Sequence, residues 1–178
     1  QDYKNNGTRI IRVSDLGVNT IHDNNMIFID NKNHRYSKWE LRENDLIFTT
    51  VGSKPPQYDS LVGRVIKVSK RNENSLLNQN AVLIRTKKPS EINQEYIFNH
   101  FLTQRYIYFI KGIIRGNANQ GSITLEDLFE FSFSLPNILE QNRIVSILET
   151  WDKAIEKLSK KVEVKKQIKK GLMQDLLT

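Results

Sequence analysis

"SLPNILEQNRIVSILETWDKAIEKL", residues 134–158, is the stretch in which the pattern of the sequence changes. Asn137 and Glu140 have the Asn-x-x-Glu spacing of a capping box, and the preceding Pro136 cannot belong to a helix interior. The stretch therefore predicts a helix that begins directly after Pro136 and runs nearly to the last residue. At 1.5 Å per residue, about 40 residues of helix make a rod of roughly 60 Å.

The predicted helix carries a stripe of apolar residues in alternating steps of four and three, which is the spacing of a heptad repeat. Beyond Val162 the same positions fall on Lys165 and Lys169, while the apolar residues continue at a slightly longer period. One helix cannot cover such a stripe by itself, so a second helix must cover it, from this chain, a copy or a partner. A coiled coil used only for dimerisation is the alternative. The predicted helix-pairing residues are Ile144, Leu148, Trp151, Ile155, Leu158, Val162, Ile168 and Leu172.

The sequence before Pro136 has a different pattern, in which short apolar runs are separated by polar turns. We predict strands at 8–16, 26–30, 46–50, 61–69, 80–87 and 131–135, a helix at 90–112, and a short helix at 125–129. Ser90 is the expected N-cap of the first helix and Gly112 its expected end. The predicted fold class is α+β. A compact mixed α/β domain at 1–135 is followed by a long C-terminal coiled-coil helix at 136–178.

The charge of the chain favours a polyanionic partner. The formal net charge is +7, from 27 Lys and Arg against 20 Asp and Glu. Residues 136–178 hold nine of the basic and six of the acidic residues, so both parts of the chain carry the excess. Nucleic acid is the first candidate partner, and simple solubility is the other explanation of the charge.

Composition excludes several classes of site. The sequence has no cysteine, which removes disulfides, thiol nucleophiles and most structural zinc sites. The three histidines, His22, His34 and His100, lie far apart, so neither a metal nor another cofactor is predicted. No apolar stretch approaches the roughly 20 residues that span a bilayer. We expect a cytoplasmic protein with no membrane partner.

Three polar loops hold the candidate DNA-binding residues. The loops at 31–39 and 112–121 place basic and amide side chains, which bind phosphates and base edges, beside aromatic or glycine residues. An ordinary polar surface would have the same composition. The third loop, at 53–58, contains two prolines. The candidate residues are Lys32, His34, Arg35, Tyr36, Lys38, Ser53, Lys54, Gln57, Tyr58, Arg115, Asn117, Asn119 and Gln120.

No motif in the sequence supports catalysis. The stretch "KPPQY", residues 54–58, is superficially similar to the Asn/Asp-Pro-Pro-Tyr/Phe loop of amino-methyltransferases. Lys54 stands where that loop needs an acceptor for an exocyclic amine, and Gln57 separates the prolines from Tyr58. No phosphate-binding glycine loop and no Ser/His/Asp or acidic nuclease cluster is present. We therefore predict no catalytic residue.

The order of the sequence blocks resembles one family, the DNA-specificity subunits of type I restriction-modification systems. The blocks "RIIRVSDL", "LRENDLIFTTVGS", "LVGRVIKV", "LLNQNAVLIR" and "EYIFNHFLTQ" are similar to successive parts of a target-recognition domain. The most specific part is "GNANQGSITLEDLFEFSFSLPNILEQNRIVSILETWDKAIEKL", residues 116–158, together with the ending "KKGLMQDLLT". The resemblance extends from Gly7 to Thr178.

The resemblance implies a role for each part of the chain. Residues 1–135 would be a target-recognition domain that binds one half of a bipartite site in double-stranded DNA. Residues 136–178 would be a spacer and dimerisation helix, to which methylation subunits carrying the adenine methyltransferase site also bind. A restriction subunit would join indirectly, and this chain would not be an enzyme.

The resemblance also implies a larger arrangement, of which this chain holds one recognition domain and one helix. Family members carry two recognition domains and two helices, and usually a further strand before the "IRVSDL" block. The chain would be a half-subunit that forms a homodimer or pairs with a second half-subunit, or else one half of a longer chain. The alternative function is a coiled-coil homodimeric interaction protein whose basic domain binds a partner other than DNA.

Overall fold

The computed structural model describes residues 3–17, 19–31, 35–52, 62–79, 81–116 and 121–177. Two compact units are present, Gln1–Leu135 and Pro136–Thr178; we call the first the head. In chain order the elements are β1 (Thr8–Ile11), β2 (Ile27–Ile29), β3 (Leu46–Thr49), β4 (Val51–Gly52), β5 (Val65–Lys67), β6 (Leu76–Leu77), β7 (Ala81–Ile84), α1 (Gln94–Phe101), α2 (Gln104–Ile113), β8 (Gly121–Ser122), α3 (Leu125–Phe129) and α4 (Ile138–Leu177). The predicted α+β class is confirmed.

The strands of the head form three small sheets. The first has the order β2-β1-β6, in which β1 pairs antiparallel with β2 and parallel with β6. The second has the order β5-β3-β7 and is antiparallel throughout. The third is the short antiparallel pair β4-β8, in which Val51 lies opposite Ser122 and Gly52 opposite Gly121.

Strand β3 lies between two hydrophobic clusters because successive side chains of a strand point to opposite faces. Ile47 belongs to the cluster that also contains Ile11 of β1 and Leu77 of β6, which places the first sheet on that face. Leu46 and Phe48 belong to the second cluster, which contains residues of α1, α2 and α3. The head is therefore layered as sheet, sheet and helices, and all three of these β3 side chains are fully buried.

The turn before β3 is fixed by a buried carboxylate. Asp45 is 3% exposed, accepts the backbone N–H of Arg42 at 2.6 Å, and accepts a two-point hydrogen bond from Arg85, whose Nε lies 2.6 Å from Oδ1. Arg85 also donates to the carbonyl of Glu40. The hydrogen bonds to Asp45 raise the pKa of the Arg85 guanidinium. Asn44, in the same turn, adopts a φ of 67°, which asparagine tolerates better than most residues.

The first predicted strand is shorter than expected. It ends at Ile11, and Val13–Asp15 form a turn of 3₁₀ helix. The Asp15 carboxylate accepts the backbone N–H of Arg12 at 2.8 Å, which closes the turn where the pattern of alternation would have continued the strand. The strands predicted at 26–30, 46–50, 61–69 and 80–87 are present over shorter ranges.

The single helix predicted at 90–112 is wrong, because this region forms two helices. Asn93, not Ser90, caps α1, and its side chain accepts the N–H groups of Glu95 and Tyr96. Thr103 caps α2 and accepts the N–H of Tyr106 at 3.3 Å. In a continuous helix, the backbone N–H groups after Thr103 would bond to carbonyls one turn earlier. Here the Thr103 side chain accepts one of them instead, so a new helix starts at this point.

The strand predicted at 131–135 is also wrong. No sheet partner pairs with these residues among those that the structure describes, and aromatic rings hold the segment instead. Phe131 packs against Tyr106 and Phe109 with ring centroids 5.1 Å away, and Phe133 stacks on His100 at 4.3 Å. The alternation of phenylalanines therefore reflects packing against the helices.

Helix α4 begins where the capping residues predict. The N–H of Glu140 donates to Oδ1 of Asn137 at 3.1 Å, and the Gln141 side chain donates to the carbonyl of Pro136 at 2.7 Å. The helix is 40 residues long. Two ion pairs four residues apart lie along the helix, with 3.9 Å between Glu149 and Lys153 and 2.6 Å between Glu156 and Lys160.

Candidate nucleic-acid interface

The β4-β8 pair joins two of the predicted DNA-binding loops. Gly52, the last residue before segment 53–61, is the Cα partner of Gly121, the first residue after segment 117–120. The bridge between Arg115 and Ser122 extends the pairing, with N–H···O distances of 3.0 and 2.8 Å. Two segments that lie some 60 residues apart in sequence therefore meet the described chain at the same end of one ladder.

The return of segment 53–61 to the head is fixed at Gly63. Its φ is +82°, and a Cβ built there would lie 2.5 Å from Cγ2 of Ile110. Its carbonyl accepts the hydroxyl of Tyr106 at 2.6 Å, and its N–H donates to Thr49. Burial raises the pKa of the Tyr106 phenol, which keeps the group protonated as a donor. Only glycine suits this close approach and this φ, so the base of the loop is held rigidly on α2.

Arg115 is the described cation of the second loop. Its Nη2 lies 2.7 Å from Oδ1 of Asp127, and 70% of its side chain is exposed. The other carboxylate oxygen of Asp127 accepts the Thr124 hydroxyl at 2.7 Å. The pair orients the guanidinium at the base of the loop and leaves most of it open to an anionic ligand.

Asp127 is a residue that the sequence interpretation did not select. Thr124 caps α3, and its hydroxyl oxygen accepts the backbone N–H of Asp127 at 3.1 Å, three residues further on. That spacing is readable in the sequence at 124–127. It predicts the cap, but the contact with Arg115 depends on the fold.

A second basic and aromatic surface surrounds the 3₁₀ turn Ser37–Trp39. The Arg35 guanidinium lies 5.7 Å from the ring centroid of Tyr36, and the Lys38 ammonium lies 5.8 Å from the ring of Trp39. Among the described residues, neither cation has a carboxylate within ion-pair distance. Tyr36 and Trp39 line a cavity of about 480 Å³ on the first sheet. Cations stacked on rings suit phosphates and bases alike.

Several other arginines are engaged in structural pairs. Arg9 bonds to Asp23 at 2.7 Å and to Asn72 at 2.9 Å, Arg12 bonds to Asp15, and Arg85 bonds to the buried Asp45. These pairs hold the loops and sheets of the head together. Among the predicted DNA-binding residues that the structure describes, the cations open to an external anion are Arg35, Lys38 and Arg115.

The remaining predicted DNA-binding residues lie outside the described residues. They are Lys32, His34, Ser53, Lys54, Gln57, Tyr58, Asn117, Asn119 and Gln120. The described flanks bring the segments with Ser53 and Gln120 to one ladder. The surface with Arg35, Tyr36 and Lys38 lies on a different sheet.

Most apolar residues of α4 are exposed within this chain, whereas Val145 is buried. Among the predicted helix-pairing residues from Leu148 onward, the exposed fraction ranges from 39% at Leu148 to 66% at Trp151. Ile144 is half-buried. Single exposed apolar residues are ordinary, but a row of them along one helix marks a surface for another molecule.

Two further searches of the described part of the chain are negative. No cluster of three or more His, Cys, Asp or Glu side chains there could hold a metal ion. None of the helices there combines the length and apolar character needed to cross a membrane.

Comparison with known families identifies the chain. The family model described as the type I restriction modification DNA specificity domain matches residues 1–166. The chain belongs to this family. The match runs through the whole head and most of α4 of this specificity-domain protein.

Two relatives of this specificity-domain protein illustrate the likeness. A protein of Methanocaldococcus jannaschii, described as a type I restriction enzyme MjaX specificity subunit, is 28% identical over 176 residues. The crystal structure of the HsdS subunit from Thermoanaerobacter tengcongensis superposes with a TM-score of 0.56 at 18% identity, over 86% of this chain. The second comparison supports the fold. The chain spans 39% of the first relative and 37% of the second.

Proposed function

We propose that this chain is a DNA sequence-recognition module of a type I restriction-modification system, in which it binds one half of a bipartite site. The observation that carries the proposal is the family match over residues 1–166, which includes the head and most of the helix. Residues 1–135 would act as the target-recognition domain, and residues 136–178 as the spacer and docking helix.

The β4-β8 ladder supports this role for the head. Gly52 and Gly121, which adjoin segments 53–61 and 117–120 in sequence, pair in this ladder, and we propose that the two segments act on one region of a DNA groove. Arg115 beside them, and Arg35 and Lys38 on the first sheet, would neutralise phosphates and set the register of the protein on the duplex. Affinity for DNA should fall as salt rises, with a slope near −0.9 for each phosphate contacted.

The exposed apolar residues of α4 support pairing with a second helix. That helix would come from a second copy of this chain or from another half-subunit, and the methylation subunits would bind the completed pair. One head on one half-site would bind weakly. Joining two heads makes the second contact intramolecular, with a gain of order 10²–10⁴ in affinity.

The chain would contribute specificity and no catalytic step. Methyl transfer to adenine would be carried out by the methylation subunits, and cleavage by a restriction subunit that joins the assembly. The site that we propose needs no cofactor of its own. A system of this kind acts on cellular DNA, so we propose that the protein works in the cytoplasm.

The proposal is tested by expressing the chain with a methylation subunit from the same operon and mapping N6-methyladenine across the host genome. We expect methylation at a bipartite motif, and none when the chain is left out. Methylation that has no sequence motif, or that is the same without the chain, would contradict the proposal.

Loop variants test whether segment 117–120 reads bases. We expect Asn119→Ala and Gln120→Ala to lower affinity for the specific site by about 1–3 kcal/mol per lost base contact and to leave affinity for random duplex nearly unchanged. Gln167→Ala, which removes the same amide group from α4, is the matched control. Equal losses on specific and random duplexes would count against base reading by this segment.

A further inference from the structure

We propose that the cavity beside Tyr36 and Trp39, which we call the aromatic cavity, binds one unstacked nucleobase together with its phosphate. The cavity lies on the first sheet and has a volume of about 480 Å³. That volume falls within the range of about 300–1,000 Å³ that is usual for small-ligand sites. The inference goes beyond the proposed function, which gives this surface phosphate contacts only.

The floor of the aromatic cavity is apolar because both faces of the first sheet carry apolar side chains. Ile11 of β1 and Leu77 of β6 belong to the cluster between the two larger sheets. Ile10 and Leu76 precede them and are Cα partners, so their side chains point to the opposite face. Both line the cavity, together with Ile29 of β2. Ile10 and Ile29 are half-buried, so the floor offers apolar surface to the flat side of a ring.

The turn Ser37–Trp39 forms one wall of the aromatic cavity and is anchored to the same sheet. Glu40, directly after the turn, forms a backbone bridge with Leu76. The N–H of Leu41 donates to the carbonyl of Ser75 at 2.8 Å, and Leu41 is fully buried. The wall is therefore held against β6 by the backbone and by the core.

The two rings of this wall suit stacking by a base. Tyr36 is half-buried, and Trp39 is 44% exposed. Their ring centroids lie 6.4 Å apart and their planes are tilted by 56°, so the rings are not stacked face to face on each other. Aromatic side chains arranged in this way can stack a further ring, and every base has a flat π face to offer.

The other polar residues of the aromatic cavity suit the edge of a base. Asn78 and Gln79 line it, and their side-chain amides are groups of the kind that bond the edges of bases. Lys4 and Asp30 also line it and pair with each other at 3.4 Å. Because that pair is nearly neutral, it neither attracts nor repels a phosphate strongly.

Positive charge lies next to the two rings. The Arg35 guanidinium and the Lys38 ammonium are each within 6 Å of the centroid of a ring that lines the cavity. A purely aromatic ligand would need no cation at this place, whereas a nucleobase brings a phosphate one sugar away. An aromatic wall, side-chain amides and cations are the combination with which proteins hold unpaired bases. The ligand class is therefore a nucleobase with its phosphate.

Such a base has two possible sources, a free nucleotide and an unpaired or extruded base of DNA. A base that is stacked in an intact duplex cannot enter a cavity of this kind. Extruding a base costs a few kcal/mol, and the cost is smallest where the base is already unpaired. If DNA is the source, a single strand or a duplex with one bulged base should bind more tightly than an intact duplex.

Trp39 allows a direct test, because it lines the aromatic cavity and the only other tryptophan, Trp151, lies on α4. A base stacked on the indole should quench its fluorescence. The whole chain is titrated with deoxyadenosine monophosphate, with a short single strand, and with a short duplex that has or lacks one bulged base. We expect saturable quenching, and we expect Trp39→Phe to abolish it. Tighter binding of the mononucleotide than of the strands would identify free nucleotide as the source, and the reverse order would identify DNA.

Tyr36→Ala tests the stacking wall with Trp39 kept as the reporter. We expect the affinity for the quenching ligand to fall by about 5- to 150-fold, the loss typical of one stacked base. Tyr108→Ala is the matched control, since Tyr108 lies on α2 and has the Lys111 ammonium 5.8 Å from its ring. It removes a ring beside a cation outside the aromatic cavity and should leave the affinity unchanged. Guanidinium unfolding shows whether each variant is folded.

Lys38→Ala tests the phosphate position separately and removes only an exposed side chain. We expect it to lower the affinity for deoxyadenosine monophosphate by up to about fivefold and to leave the affinity for deoxyadenosine unchanged. Equal losses for the nucleotide and the nucleoside would overturn the assignment of the phosphate to this cation.

Three results would overturn the proposed base site. They are the absence of quenching by all the ligands, quenching that persists in Trp39→Phe, and equal losses in Tyr36→Ala and Tyr108→Ala. Equal quenching by the intact and the bulged duplex, with none by the mononucleotide, would also overturn it, because the surface would then contact the DNA backbone only. These titrations need neither a recognition motif nor a methylation subunit, so their failure is distinguishable from failure of the proposed function.

Discussion

Phe48 in the head and Leu158 in α4 are both large apolar side chains, but the first is fully buried and the second is 62% exposed. Phe48 lies in a layered fold, where the sheets and helices of residues 1–135 cover one another. Leu158 lies on a helix whose apolar row is largely exposed. The head therefore has a hydrophobic core of its own, whereas the row on α4 is the surface that we propose to pair with a second helix.

The largest effect is expected for Leu158→Asp, which separates the two regions. A charge in the apolar row of α4 should abolish self-association and lower specific DNA binding by about 10²–10⁴-fold, because the second head is lost. The head should unfold at the same denaturant concentration as before. Light scattering and DNA titration measure the two losses.

Lys157→Asp is the control for that experiment, since it places the same carboxylate one residue away and outside the apolar row. A dimeric Leu158→Asp protein that still binds its site fully would contradict the pairing model.

Phe48→Ala is the corresponding change in the head. Removing a fully buried ring from the cluster beneath α1 and α2 should cost about 3–5 kcal/mol of unfolding free energy. Guanidinium unfolding measures the loss, and Tyr108→Ala, at a ring that is 65% exposed, should change it by less than about 0.5 kcal/mol. Similar losses for the two variants would show that the described core does not stabilise the head.

Arg85→Ala should have a smaller effect on the same region. The change leaves the Asp45 carboxylate buried without its partner. We expect it to lower the unfolding free energy by about 2–3 kcal/mol. The loss is smaller than for a fully buried pair because 30% of the Arg85 side chain is exposed. The double variant Arg85→Ala/Asp45→Ala removes the isolated charge. Its loss, measured by guanidinium unfolding, should be clearly less than the sum of the two single losses, and additivity would argue against the pair.

The smallest effect is a pH dependence of the head. Burial between Tyr96 and Phe133, with a smaller contribution from Arg105, lowers the pKa of His100 below its usual value near 6.5. The folded state therefore disfavours the proton, so stability is complete above pH 6.5 and decreases as the pH falls through the lowered pKa. His100→Phe should reduce the change of the unfolding midpoint between pH 7 and pH 5. If the midpoint of this variant changes with pH as much as that of the original chain, the pH dependence arises from other groups.

The sequence predicts these two regions unequally well. The long helix and its capping residues were readable because a 3.6-residue period sustained over 40 residues, with a cap at its start, has no competing interpretation. Strand β3 was readable because Leu46–Thr49 follow a turn and are apolar. The interruption at Thr103 was not, since a threonine inside a helical pattern is a cap only when the fold turns the chain there.

The candidate site was predicted as residue types rather than as an arrangement. Polar loops with basic residues were visible in the sequence, but the pairing of Gly52 with Gly121 spans 69 positions and depends on the fold. The contact of Arg115 with Asp127 also depends on the fold and could not be predicted from the sequence. Phenylalanines 131 and 133 alternate as in a strand, and only the rings of Tyr106 and His100 show why they do not form one.

The length of α4 has a consequence for DNA geometry under the proposed function. The helix has 40 residues, which rise about 60 Å along its axis. Insertion of one heptad would lengthen it by about 10.5 Å, or roughly three base pairs at 3.4 Å each. Three base pairs are nearly a third of a turn of the double helix, so a spacer longer by one heptad would present the second head to the wrong side of the duplex. The length of the helix would thus fix the rotational phase of the two half-sites as well as the distance between them.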